Sequence, residues 1–184
     1  MKMKRFLISS VAFLLCISAM AAPKKSYTLV SPDGKLSVSI NVDNKITYTL
    51  EHDGDLLLDK SAVSMSFTDG TSFNGVQPVR KVTERTVSQE VETVAYKRAV
   101  VKDEFNELTL LFKDFSLVFR AYDDGMAYRF ISDLKDPVNV LGEVAEFNFA
   151  EDWNMWTAYV SQHTESLETQ FFNSFESQYT YAPL

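Results

Sequence analysis

The sequence predicts an all-β domain. Apolar and polar residues alternate with a period of two along most of the chain. Turn-forming clusters of Asp, Asn and Gly divide these runs at intervals of about 8–14 residues, the signature of a sandwich or barrel. No stretch carries a helical apolar stripe longer than two turns.

Taken in order, Leu36, Val38, Ile40 and Val42 alternate with Ser37, Ser39 and Asn41, and Ile46, Tyr48 and Leu50 alternate with Thr47 and Thr49. The short polar link Asp43-Asn44-Lys45 makes these two runs a β-hairpin. His52-Asp53-Gly54-Asp55 is a second turn. Val63, Met65 and Phe67 form a third strand that Asp69-Gly70 stops. Lys81 to Lys97, rich in Val, Thr and charge, reads as long solvated edge strands. Leu108, Leu110 and Phe112 alternate again, and Leu117, Phe119 and Ala121 follow the turn at Lys113-Asp114. Asp123-Asp124-Gly125 then turns the chain into a strand from Ala127 to Ile131. Residues 161–170 are the best candidate for a short helix, and Gln178 to Tyr181 is strand-like.

The first 21 residues read as a cleavable export signal. Lys2, Lys4 and Arg5 form a basic start, Phe6 to Ile17 is mostly apolar, and Ala19-Met20-Ala21 supplies a small-x-small cleavage pattern. The apolar stretch is short for a bilayer span, which needs about 20 residues. Cys16, the only cysteine, follows Leu15 where a lipoprotein signal needs a small residue, and cleavage after Ala21 removes it. The expected mature domain, residues 22–184, therefore has no thiol or disulfide chemistry and is expected to be exported, to the periplasm once the resemblance given below is taken with the signal.

Loss of three cations takes the formal net charge from −7 to about −10, which disfavours a nucleic acid partner. No basic amphipathic helix suggests a membrane surface. Nucleophilic catalysis has little support: there is no Gly-x-Ser-x-Gly elbow, and the only histidines, His52 and His163, lie in polar surroundings. Two distant histidines without a mature cysteine do not make a zinc site.

Carboxylates and aromatics remain. Asp123 and Asp124 read as turn residues, and Glu165 and Glu168 as a solvated helix face. Glu176, between Phe175 and the pair Tyr179 and Tyr181, is either a strand-end carboxylate facing water or one aimed into a site. Trp153 and Trp156 are either a stacking platform for a pyranose ring or core or domain-interface residues. Residues 153–184 stay aromatic to the end, where a terminus is expected to turn polar, so more protein is expected downstream.

Four strings carry a family resemblance. Ser31-Pro32-Asp33-Gly34-Lys35-Leu36, Phe105-Asn106-Glu107-Leu108, the hairpin Phe119-Arg120-Ala121-Tyr122-Asp123-Asp124-Gly125-Met126-Ala127-Tyr128-Arg129-Phe130, and Phe175-Glu176-Ser177-Gln178-Tyr179-Thr180-Tyr181 stand in order behind the leader. Together they resemble the N-terminal domain of glycoside hydrolase family 97, the exported α-glycosidases of Bacteroidetes, although Phe105 stands where the family commonly has tyrosine. The resemblance implies an antiparallel β-super-sandwich of the galactose-mutarotase-like kind, incomplete at its C-terminal end, with a catalytic (β/α)₈ barrel downstream. It implies an α-linked oligosaccharide as substrate, an α-glucosidase or α-galactosidase activity, and catalytic carboxylates that lie in the barrel, none of them in this chain. It also implies that Glu176 is a ligand of a calcium ion shared with the barrel. A non-catalytic carbohydrate-binding module is the alternative reading.

Overall fold

The computed structural model describes residues 26–158 and 178–183. Every regular element among them is a strand, and every pairing is antiparallel. The first sheet is built on β1 (Ser26–Val30), β2 (Leu36–Val42), β3 (Ile46–His52) and β4 (Asp55–Phe67), in that spatial order. The short β5 (Ser72–Phe73) pairs with β4. The second sheet is β6 (Lys81–Glu92), β7 (Val100–Leu111), β8 (Phe115–Tyr122) and β9 (Gly125–Ser132), a meander in chain order. The chain then returns to the far edge of β4 as β10 (Val140–Ala145) and β11 (Asn148–Phe149). Last, β12 (Asn154–Thr157) and β13 (Thr180–Pro183) form a two-stranded ribbon.

The period-2 pattern becomes burial. In β2 the apolar residues Leu36, Val38, Ile40 and Val42 are buried and the serines between them are half-buried. The same holds for Ile46 and Tyr48 in β3 and for Leu108 and Leu110 in β7. These faces meet as one apolar cluster spanning both sheets, which makes the two layers a sandwich. Tyr48 of one sheet lies 6.2 Å from Phe119 of the other, ring centre to ring centre. At one end Phe115 stacks between Phe112, at 4.2 Å, and Phe73, at 4.5 Å. Each such fully buried side chain contributes about 1.5–3 kcal/mol relative to its exposed state.

The turns explain the registers. Asp43-Asn44-Lys45 joins β2 to β3 with Val42 opposite Ile46, as expected. His52 pairs with Asp55, so Asp53-Gly54 is a two-residue loop. Asp53 has φ of 51° and Gly54 of 89°, the left-handed pair that a hairpin of this length requires. Gly75 is needed for a different reason: a Cβ there would fall 2.6 Å from the Lys45 carbonyl oxygen.

Three expectations are refined. The third strand starts at Asp55, well before Val63, because β4 carries register shifts against β3 that break the apolar alternation. The charged segment from Lys81 is one edge strand ending at Glu92, and Thr93–Lys97 belongs to the β6–β7 loop, where Ala95 has φ of 56°. Phe112 lies just past the end of β7, buried, with its N–H donating to the Phe115 carbonyl oxygen in the tight β7–β8 turn. The candidate helix at 161–170 lies outside the described residues.

Candidate functional site

Three of the four sequence strings, those at Ser31–Leu36, Phe105–Leu108 and Phe119–Phe130, meet where they join the two sheets. In Ser31-Pro32-Asp33-Gly34, the Ser31 hydroxyl donates to Asp33 Oδ1 at 2.6 Å and accepts the Leu36 N–H at 3.0 Å. Asp33 Oδ1 also accepts the Lys35 N–H at 3.1 Å. These bonds, the Ser31 hydroxyl first, hold the Asp33 carboxyl below the usual carboxylate range. The Asp33 N–H crosses the sandwich to Asp123 Oδ1 of the β8–β9 turn, at 2.9 Å. Asn106 Nδ2 donates to the Val30 carbonyl oxygen at 2.8 Å, which ties β7 to β1. Asp123 and Asp124 are therefore the hairpin turn that the sequence suggests, with Tyr122 opposite Gly125. Asp123 has a structural partner in the Asp33 backbone.

On the outer face of the second sheet, two matched registers assemble an ion cluster of three residues. Arg85 of β6 is opposite Glu107 of β7, which is opposite Arg120 of β8. Arg85 donates to Glu107 through Nε at 2.6 Å and Nη2 at 2.9 Å, and Arg120 Nε donates at 2.7 Å. The Arg120 guanidinium carbon stands 4.1 Å from the centre of the Phe105 ring. The glutamate is buried while Arg85 is mostly in water. Arg85 holds the Glu107 carboxyl below its ordinary range, against burial, which opposes the charged form; Arg120 adds to the effect. A buried carboxylate paired twice is a sheet clamp, not a free acid–base group. Sequence reading passed over this cluster because its members are 22 and 13 residues apart and only the register brings them together.

The ribbon β12–β13 carries the aromatic candidates. Trp156 is opposite Tyr181, their ring centres 5.1 Å apart and the planes inclined by 45°. Trp156 is 66% exposed and Tyr181 57%. Trp153, just before β12, is also exposed. Neither tryptophan belongs to the sandwich core, which leaves the stacking platform and the domain interface as the readings of this pair. Tyr181 was not singled out from the sequence as a partner; its pairing with Trp156 follows from the ribbon register. Glu176 lies outside the described residues, four positions before the first residue of β13. His163, Glu165 and Glu168 lie outside them as well. His52 Nδ1 stands 3.7 Å from Asp53 Oδ2 beside the β3–β4 turn, with both side chains well exposed.

No group of three or more His, Cys, Asp or Glu that could hold a metal ion occurs among the described residues. Calcium takes six to eight oxygens, and one carboxylate offers two at most. A site that uses Glu176 would need most of its oxygens from elsewhere.

Comparison with known proteins agrees with this architecture. The family model described as glycosyl-hydrolase 97 N-terminal matches residues 29–184. A retaining alpha-galactosidase of Bacteroides thetaiotaomicron is 35% identical over 182 residues, covering 98% of this chain and 27% of that protein. A glycoside hydrolase family 97 enzyme from Pseudoalteromonas sp. strain K8, solved in complex with panose, superposes with a TM-score of 0.67 at 20% identity, over 85% of this chain and 24% of its own. A beta-arabinopyranosidase superposes with a TM-score of 0.68 at 20% identity, over 84% and 26%. The chain thus spans about a quarter of the length of these relatives. With the family model matching residues 29–184, most of its length, the chain belongs to the glycosyl-hydrolase 97 N-terminal family.

Proposed function

We propose that this chain is the N-terminal domain of an exported α-glycosidase, an α-galactosidase or α-glucosidase that hydrolyses terminal α-linked sugars. The observation that carries the reading is the 35% identity to a retaining alpha-galactosidase of which the chain matches only 27%. The acids of such a reaction are two carboxylates flanking the glycosidic bond. Among the matched strings, the carboxylates of Asp33, Asp123 and Glu107 are instead engaged in a turn, a sheet-to-sheet contact and a clamp. In this proposal the sandwich buttresses a downstream barrel.

Apolar surface supports the buttress role. Along β10 and β11, Val140, Leu141, Val144, Phe147 and Phe149 are all exposed. A run of this kind on a soluble domain marks a surface that another element covers. The domain would also supply Glu176 as one calcium ligand next to the barrel, completing a coordination shell that it cannot fill alone. Trp156 and Tyr181 would present aromatic faces to the C–H face of a sugar, with Trp153 nearby in sequence. The leader, residues 1–21, would direct the protein to the periplasm, where α-linked oligosaccharide is its substrate.

The test is to express the gene through its natural stop codon and assay release of galactose and glucose from α-linked p-nitrophenyl glycosides. Hydrolysis of either supports the reading. A stop codon directly after Leu184, with no barrel encoded, refutes it. The binding-module alternative rests on the exposed Trp156–Tyr181 pair. It predicts a saturable change in Trp fluorescence when the chain alone meets maltooligosaccharides, lost in Trp156→Ala.

A further inference from the structure

On the second sheet Arg129 is without an acidic partner among the described residues. On the outer face of β8 and β9, Val118 is opposite Arg129 and Arg120 is opposite Ala127. With Tyr122 these residues line a recess of about 120 Å³. Arg120 is fixed at its side, with Nε on Glu107 and the guanidinium over Phe105. Arg129, one step further along the same face, has no ion-pair or hydrogen-bond partner among the described residues, and its side chain is exposed. Its neighbour on β8, Val118, is 4% exposed and gives the recess an apolar floor.

The face is also a charge exception. The registers place Lys81, Arg85, Arg120 and Arg129 on it against Glu107 and Asp103, in a chain whose net charge is −7. Two arginines line this recess, and Glu107 is the one carboxylate that answers both Arg85 and Arg120, so the face keeps an excess of positive charge. A planar carboxylate is the matching ligand, because its two oxygens fit the guanidinium fork and its charge answers the second arginine. The recess is of a size for that group and the carbon bearing it, with Val118 and Tyr122 beside the two arginines in its lining.

We propose that this recess binds a carboxylate, with Arg129 as the primary cation and Arg120 as the pre-positioned second one. The carboxylate comes from a sugar acid or from the aspartate or glutamate side chain of a polypeptide segment. Thermal unfolding of the full chain, followed by circular dichroism at constant ionic strength, tests this with D-glucuronate, N-acetyl-aspartate amide, D-glucose and chloride. The expected result is a saturating rise in Tm of about 3 °C with the two carboxylates and none with glucose or chloride. Arg129→Gln loses the rise while keeping the unliganded Tm, and Arg129→Lys keeps a smaller one. Tighter saturation by glucuronate identifies a sugar acid as the source, and tighter saturation by the capped aspartate identifies a side chain. No saturating rise with either carboxylate, an equal rise in Arg129→Gln, or the same rise with chloride overturns the proposal.

Discussion

Replacing Glu107 by glutamine removes the charge that holds three strands in register while keeping the side chain's shape. The wild-type carboxylate accepts three charged hydrogen bonds, at 2.6, 2.9 and 2.7 Å. An amide keeps one acceptor and turns an N–H₂ group toward two guanidiniums. Bonds to charged groups contribute about 1.5–3 kcal/mol each when desolvated, but water solvates much of Arg85 and recovers part of that loss. The net cost expected for Glu107→Gln is about 2–3 kcal/mol, or roughly 5–10 °C in Tm for a domain of this size. The pH dependence fixes the cause. The folded-state pKa of Glu107 is depressed, chiefly by Arg85, so the unfolded chain takes up this proton first as pH falls. The stabilisation is thus complete above the unfolded glutamate pKa, about 4.3, and is lost as pH falls through the lower folded value. Urea unfolding of both proteins from pH 7 down to pH 2.5 measures it: the two curves separate at neutral pH and converge in acid. A difference below about 0.5 kcal/mol at pH 7, or one that persists unchanged in acid, refutes the clamp.

Three other outcomes follow from the packing. Phe115→Ala empties the stack between Phe112 and Phe73 and is expected to cost about 3–5 kcal/mol by urea unfolding; a cost under 1 kcal/mol would mean that the sheets do not meet there. Gly75→Ala drives a Cβ against the backbone of the β2–β3 turn and is expected to cost about 2 kcal/mol or more, because backbone cannot rotate away. The isolated chain is expected to self-associate in light scattering, through the exposed apolar residues of β10 and β11; a monodisperse monomer at high concentration would contradict that.

Much of the sandwich is legible in the sequence because its strands bury one face and the turns carry specific chemistry. Leu36–Val42 and Ile46–Leu50 announce themselves by alternation, and Asp53-Gly54 by its left-handed backbone requirement. The strands β10 to β12 do not, since nearly every residue in them is exposed and no alternation survives. The first half of β4 escapes notice because its register shifts against β3 interrupt the period. The site is less legible than the fold. Trp153 and Trp156 stand out by composition, but the partner that makes Trp156 half of an aromatic pair is Tyr181, 25 residues away and placed by ribbon pairing. The clamp of Arg85, Glu107 and Arg120 depends wholly on register, which no single segment reveals.

The central claim is that the domain works together with a downstream barrel and gives it one calcium ligand. Isothermal titration of calcium into this chain and into the product of the whole gene tests it most directly. Weak or no binding is expected for the chain alone, and tight binding for the longer protein, abolished by Glu176→Gln. Micromolar binding by the chain alone, lost in Glu176→Gln, would contradict it.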